Sequence, residues 1–172
     1  MMTASVDIAA WLVSRHGAGT RLTNMSLNRL CFFAQVESLR STGTTVFDDP
    51  IVAWRCGPVC PAVYHAYERY GRTSVPAPVM EAPGLSDGET MIMDMLWKDY
   101  GWLSAYDLVR LSCRDGGAWS KAWTQGQGTP ITPGLILDSA DIAGFDPDRT
   151  FAASVKRVER RYRNTLRLLE DS

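Results

Sequence analysis

Histidine is almost missing from this chain, with His16 and His65 the only two among 172 residues. A Ser–His–Asp or Cys–His catalytic arrangement would have to use one of them. Cys60 and His65 are five residues apart, and a helix does not stack that spacing on one face as it does residues four apart. The expectation is a buried thiol beside a surface histidine. Cysteine is scarce as well. The four at 31, 56, 60 and 113 do not form the framework of a small secreted domain and read as reduced thiols of a cytoplasmic protein. Cys56, Cys60 and His65 offer three zinc-type donors but no fourth at recognisable spacing, so no metal site is expected. No glycine-rich phosphate loop stands out, because Gly126-x-Gly128 lacks both a preceding strand and a following Lys-Ser/Thr, and it reads as a plain loop. Paired acids such as Asp48-Asp49 and Asp138-x-x-Asp141 are expected to cap helices or face solvent. No apolar run approaches the roughly 20 residues a membrane-spanning helix needs. The N-terminus has no early basic cluster, and Asp7 interrupts its apolar run, so no secretory leader is expected. A charge excess is also lacking: 18 basic against 19 acidic residues give a net −1, which argues against a general nucleic-acid binder. The expectation from these absences is a protein with no catalytic residues, no cofactor and no metal.

What is present suits one globular domain. Apolar residues make up 45% of the chain, charged residues 22%, and six Trp with six Tyr supply large packing groups or interface anchors. Ser5 is a candidate cap for a first helix ending at His16–Gly19. Thr23 caps a long amphipathic helix that carries Met25, Leu27, Leu30, Cys31, Ala34 and Leu39 to about Thr42. The stretch Thr73–Gly84 reads as a loop rather than a domain linker. Ser86 with Glu89, and Ser104 with Asp107, have the capping-box spacing and start two further helices, to Tyr100 and to Cys113. Thr132-Pro133 starts a short helix, and Asp148 is expected to cap a last one reaching about Leu169.

Val46–Gly71 is the stretch around which the chain is organised. Asp48, Asp49 and Pro50 punctuate a turn, and Ile51–Trp54 is β-branched and aromatic, as a strand should be. Gly57-Pro58 forces a corner, since glycine opens backbone angles closed to other residues and a proline pushes its predecessor out of the helical region. Pro61 then starts a helix with Val63, Tyr64, Tyr67 and Tyr70 at helical spacing, stopped by Gly71. Trp54 is expected to fill the core. The fold class is therefore mainly α: a single-domain helical bundle with a small β-hairpin or strand element near residues 46–55. The second helix and the Pro61–Tyr70 helix are expected to pack on the Ser86–Tyr100 and Ser104–Cys113 helices.

This same stretch carries a family resemblance. Ile51, Ala53, Trp54, Gly57, Pro58, Val59, Val63 and Tyr64 stand in the pattern aliphatic-x-Ala-Trp-x-x-Gly-Pro-Val-x-x-x-Val-Tyr, which resembles the signature of the Panacea domain, the SocA-like, phage-associated antitoxin family. Thr23–Gln35 is similar to that family's Thr-Pro-Leu-Lys-Leu-Gln-Lys-Leu-Leu-Tyr-Tyr-Ala-Gln, with Asn28 in place of the glutamine, Arg29 of the lysine and Cys31 of a leucine. Tyr100–Leu108 resembles its Tyr-Gly-x-Leu-Ser-Ala-x-x-Leu, and Trp119 stands where the family has a tryptophan. The likeness runs from about 23 to 123, within a domain expected over 1–147. It implies an antitoxin that neutralises a cognate protein toxin by direct contact, either blocking it or acting as a proteolytic adaptor to an ATP-dependent protease. Trp54, Gly57, Pro58, Val63 and Tyr64 are then the structural motif, and Arg55, Val59, His65 and Arg69 the exposed candidates for partner binding.

The C-terminal stretch 148–172 lies outside the likeness. Phe151, Val155, Val158, Tyr162, Leu166 and Leu169 recur at nearly heptad spacing. Seven basic and four acidic residues give the stretch a local charge of +3. The seam is expected to pack on the protein's own core, with Arg160 and Arg161 solvated. The functional reading is a docking helix for an acidic partner, in which those two arginines are candidates. The rival classes are a phage-derived DNA-binding transcriptional regulator using this basic helix, and a small hydrolase using Cys60 or His65.

Overall fold

The computed structural model describes residues 2–77, 82 and 84–170. Among them run α1 (Ser5–His16), α2 (Asn24–Thr42), β1 (Val52–Trp54), β2 (Gly57–Val59), α3 (Pro61–Tyr67, continued by a 3-10 turn at Glu68–Tyr70), α4 (Asp87–Tyr100), α5 (Ala105–Ser112), α6 (Ala118–Trp123), α7 (Pro133–Leu137) and α8 (Phe151–Glu170). The fold is mainly α with one two-stranded antiparallel sheet. Residues 78–81 and 83 of the expected Thr73–Gly84 loop lie outside the described residues.

α2 is the axis. Thr23 caps it by accepting the Ser26 N–H, and Gly43 ends it in the left-handed conformation at φ 74°. α1, α3, α4, α5, α7 and β2 all pack on it. Between Asn24 and Leu39 only Met25 is exposed. The amphipathic expectation is therefore corrected: α2 is enclosed on nearly all sides. Asn24, Asn28, Arg29, Gln35 and Ser38 are buried because each finds a backbone partner, and Glu37 pairs with Arg40, so the polar face that the sequence displays is not a solvent face. α3 packs chiefly on α1 and α2 through Val63, its one fully buried residue. The expected packing of that helix on α4 and α5 is not what the chain adopts, since those two helices cover another side of α2.

Both capping boxes form as their spacing predicts, Ser86 with Glu89 and Ser104 with Asp107. The caps at the two ends of the chain differ from expectation. Ser5 is the first residue of α1, not its cap; its N–H donates to the carboxylate of Asp49, an acid 44 residues away. At α8, Asp148 gives way to Asp107, which accepts the N–H groups of Phe151 and Ala152, and to Thr150, which accepts that of Ala153. Asp107 thus joins the start of α5 to the start of α8.

β1 lies between two neighbours. On one side Val52, Ala53 and Trp54 pair with Val59, Pro58 and Gly57 across the two-residue turn Arg55-Cys56. On the other, Ala53 exchanges backbone hydrogen bonds with Thr129 and Gly128, and the Ile131 N–H donates to the Ile51 carbonyl. The region of Gly126-x-Gly128 is thus a backbone partner of β1 and not a free loop. Trp54 is half-buried, in edge contact with Tyr64 at 4.9 Å between ring centroids. Phe32, Phe33, Phe47 and Leu96 occupy the core that Trp54 was expected to fill.

α8 breaks the pattern of burial. After its first turn every described side chain is exposed, including Val155, Val158, Tyr162 and Leu169 of the apolar seam; the Leu166 side chain lies outside the described residues. The expectation that the seam packs on the protein's own core is overturned. Among the described residues the start of the helix is docked, through Asp107 and through Lys156, whose Nζ sits 4.4 Å from the Trp102 ring centroid.

Candidate partner-binding groove

The buried polar residues of α2 hold the backbone of the 46–64 stretch. Gln35 accepts the Val46 N–H and donates to the Phe47 carbonyl, both at 2.9 Å. Asn28 accepts the Cys60 N–H at 2.9 Å while its amide donates back to Asn24. Asn24 in turn donates to the Tyr64 carbonyl at 3.0 Å. Arg29 donates to the carbonyls of Cys56 and Pro58. The two motif stretches, far apart in the chain, are therefore one device: a helix whose side chains satisfy the unpaired backbone of a corner.

Gly57 is where the two meet most closely. Its φ of 126° is open to glycine, and a Cβ there would stand 2.5 Å from Arg29 Nη2 and 2.6 Å from Cζ. The guanidinium lies flat against the glycine. Trp119 Nε1 donates to the Trp54 carbonyl at 2.9 Å, fixing the same corner from α6.

Alongside this corner opens a groove of about 890 Å³. α2 contributes Met25, Asn28 and Arg29 to its walls, the hairpin Trp54, Arg55, Cys56 and Val59, and α3 Tyr64. Leu103, Ala105 and Leu108 close it from the α5 side. Four arginines line it, Arg21, Arg29, Arg55 and Arg72, against one described carboxylate, Glu68. The chain as a whole carries −1, so the positive charge is local to this face.

Arg29 differs from the other three. It is 2% exposed, whereas Arg21, Arg55 and Arg72 are open to solvent. Burial pulls its guanidinium below the usual arginine range, with the thiols of Cys113, Cys56 and Cys60 opposing the shift. The Cys113 thiol is itself pushed up by burial, although the Ser112 hydroxyl and Arg29 oppose the shift, so it stays protonated at neutral pH. No described carboxylate lies within ion-pair distance of Arg29, and its Nε has no hydrogen-bond partner.

The residues expected to bind a partner divide between two places. Arg55 is exposed and lines the groove. Val59 also lines it but is buried, at 7% exposure, because it pairs with Val52; its place among the exposed candidates is corrected. His65 and Arg69 are exposed on the helix beside the groove without lining it. His65 Nδ1 lies 3.2 Å from Glu68, and Arg69 stacks on Tyr70. Arg160 and Arg161 stand on the exposed part of α8 and do not line the groove. Within the motif, Gly57, Pro58 and Val63 are buried, while Trp54 and Tyr64 keep part of their rings open to the groove. Sequence reasoning did not single out Arg29, Arg21 or Arg72 as site residues. For Arg29 a signal existed, a lone cation inside the apolar run Leu27–Ala34; for the other two, which flank the helices at loop positions, none did.

Cys60 is buried and His65 exposed, and among the described residues no group of three or more His, Cys, Asp or Glu is placed to hold a metal ion. No helix of the described residues is long and apolar enough to cross a membrane. A family model described as "Antitoxin SocA-like, Panacea domain" matches residues 27–120, the span containing most of α2, the hairpin, α3, α4, α5 and the start of α6. No curated protein and no solved structure matches the chain.

Proposed function

The chain belongs to the SocA-like, Panacea-domain antitoxin family, and on that premise we propose that it neutralises a protein toxin by direct contact, using the groove beside the hairpin as the contact site. One observation carries this reading: the motif residues Trp54 and Tyr64 are not spent on the core but face an arginine-lined groove. Half-open aromatics next to arginines are the side chains most often found to anchor protein interfaces, and a site fixed on a braced corner loses little freedom on binding. His65 and Arg69 extend the same face. α8 is a second contact surface, with Val155, Val158, Tyr162 and Leu169 of its apolar seam exposed and six basic against two acidic residues over 151–170, suited to an acidic helix of the same toxin. The unit 1–147 supplies the groove, and 148–172 supplies this added surface. The role is binding, with no catalytic step, and either outcome for the toxin is compatible with it: a blocked active site or delivery to an ATP-dependent protease.

The test is growth rescue. The reading frame adjacent to this one is expressed inducibly in a bacterium, with and without this protein. The expected result is arrest by the neighbour, restored growth on co-expression, and co-purification of the two. Charge reversal of Arg55 with Arg72 should leave the fold intact and weaken co-purification. A harmless neighbour, or rescue without contact, refutes the reading. A DNA-binding regulator is favoured by one feature, the exposed basic α8, and predicts DNA affinity falling steeply with salt; salt-insensitive or absent binding removes it.

A further inference from the structure

We propose that the groove receives a carboxylate, carried by an acidic side chain set between apolar residues in a segment of the partner protein, and that Arg29 is the residue that binds it. The identity of the partner rests on the antitoxin reading; the chemistry of the ligand rests on the groove alone.

A buried charge is strongly disfavoured unless an opposite charge or a full set of hydrogen bonds accompanies it. Arg29 is 98% buried by its 2% exposure, yet its only acceptors are two backbone carbonyls, those of Cys56 and Pro58. Its Nε–H is left without an acceptor, and no described carboxylate pairs with it. Its thiol neighbours supply no compensating charge through Cys113, which is protonated at neutral pH. The protein thus holds a cation at the wall of an open groove with donor capacity unused.

Its position is also fixed in advance. The carbonyls of Cys56 and Pro58 hold two of its nitrogens, and Gly57 leaves room for the flat guanidinium and for nothing larger. Such a planar, immobilised fork suits a carboxylate better than a flexible ammonium would. The surroundings choose the carrier. Met25, Trp54, Tyr64 and Leu103 line the same space, so a carboxylate arriving there is flanked by apolar contacts, and about 890 Å³ accommodates several side chains rather than a single small ion. The exposed Arg21, Arg55 and Arg72 would draw an acidic segment toward it.

The full-length protein, labelled with ¹⁵N-arginine, is titrated with acetyl-Leu-Glu-Phe-amide and with its neutral counterpart acetyl-Leu-Gln-Phe-amide while the Arg29 Nε–Hε resonance is followed. The expected result is saturable movement of that resonance by the Glu peptide, with about 10–100-fold weaker binding of the Gln peptide, the ratio that a charge-assisted hydrogen bond gives. In Arg29→Gln the two peptides should bind alike. In Arg29→Lys, which retains the charge and loses the fork, the preference should shrink. Equal binding of the two peptides to the wild-type protein overturns the proposal, as does a Glu peptide that leaves the Arg29 resonance unmoved. Inorganic phosphate binding as tightly as the Glu peptide also overturns it, in favour of a free-anion site. The two readings fail separately. If the neighbouring toxin is neutralised as well by folded Arg29→Gln as by wild type, the carboxylate inference falls and the antitoxin reading stands. If the neighbour is harmless while the Glu peptide docks at Arg29, the antitoxin reading falls and the site remains.

Discussion

Replacing Gly57 by alanine puts the relation between hairpin and helix to its hardest test. At φ 126° an alanine backbone is strained by about 1–3 kcal/mol. The added methyl would also stand 2.5, 2.6 and 2.9 Å from Nη2, Cζ and Nε of Arg29. The guanidinium cannot yield by swinging free, because it is nearly fully buried and bonded to the carbonyls on either side of that glycine. Losing even one such bond costs about 1.5–3 kcal/mol, so the whole substitution should cost about 3–6 kcal/mol, a large part of the roughly 5–15 kcal/mol a domain possesses. Gly71→Ala is the control. It too has positive φ, 53° with ψ −119°, but nothing lies within 4 Å of its would-be Cβ, so backbone strain of about 1–3 kcal/mol is its whole cost. Urea unfolding by circular dichroism measures both through the midpoint, provided the slope is unchanged. A double-mutant cycle with Arg29→Ala should show a coupling of about 2 kcal/mol or more, since removing the guanidinium removes the clash. If Gly57→Ala costs no more than Gly71→Ala, or if the cycle is additive, the clamp of Arg29 on the corner is not what the glycine serves.

Two further outcomes follow from the helix ends. Deleting residues 157–170 should shift the thermal midpoint by no more than about 2 °C, because the described side chains of that stretch are exposed and the docked start of the helix, with Lys156, remains; a larger loss would mean that the seam covers core surface. Burial tends to raise the Asp107 carboxyl, but the N–H groups of Phe151, Ala152 and Ser104 and the Ser104 hydroxyl outweigh it and hold the group below the usual range. A carboxylate lowered on folding stabilises fully above its unfolded pKa of about 3.9 and loses that contribution as pH falls through the folded value. The stability gap between wild type and Asp107→Asn should therefore be widest at neutral pH and should narrow below about pH 4. Urea midpoints across that range measure it, and a gap independent of pH would show that the carboxylate's charge plays no part.

Much of the local structure was legible before any coordinates. Capping pairs at fixed spacing announced α4 and α5, Thr23 announced the start of α2, and Gly57-Pro58 required a corner, because these signals act between residues a few positions apart. The site was less legible. Arg55 could be read as exposed from its place beside the corner, but Val59 could not be seen as buried nor Trp54 as half-open, since both depend on what crosses from elsewhere. The polar residues of α2 misled in the same way. Asn24, Asn28, Arg29 and Gln35 look like the solvent side of an amphipathic helix, yet they are buried against the carbonyls and N–H groups of residues 46–64. Asp49 and Asp107, which cap helices 44 residues away, are legible in the sequence only as local acids.

The sequence alone determined the helical class, the positions of most helix starts, and the family, through motif residues whose spacing survives in one dimension. Tertiary structure decided which polar groups are inside, which aromatics face the groove, and that Val155, Val158, Tyr162 and Leu169 of the α8 seam are left exposed. Hydrophobic periodicity reports that a face must be buried but not against what, and a buried donor is satisfied by whichever carbonyl the fold brings to it.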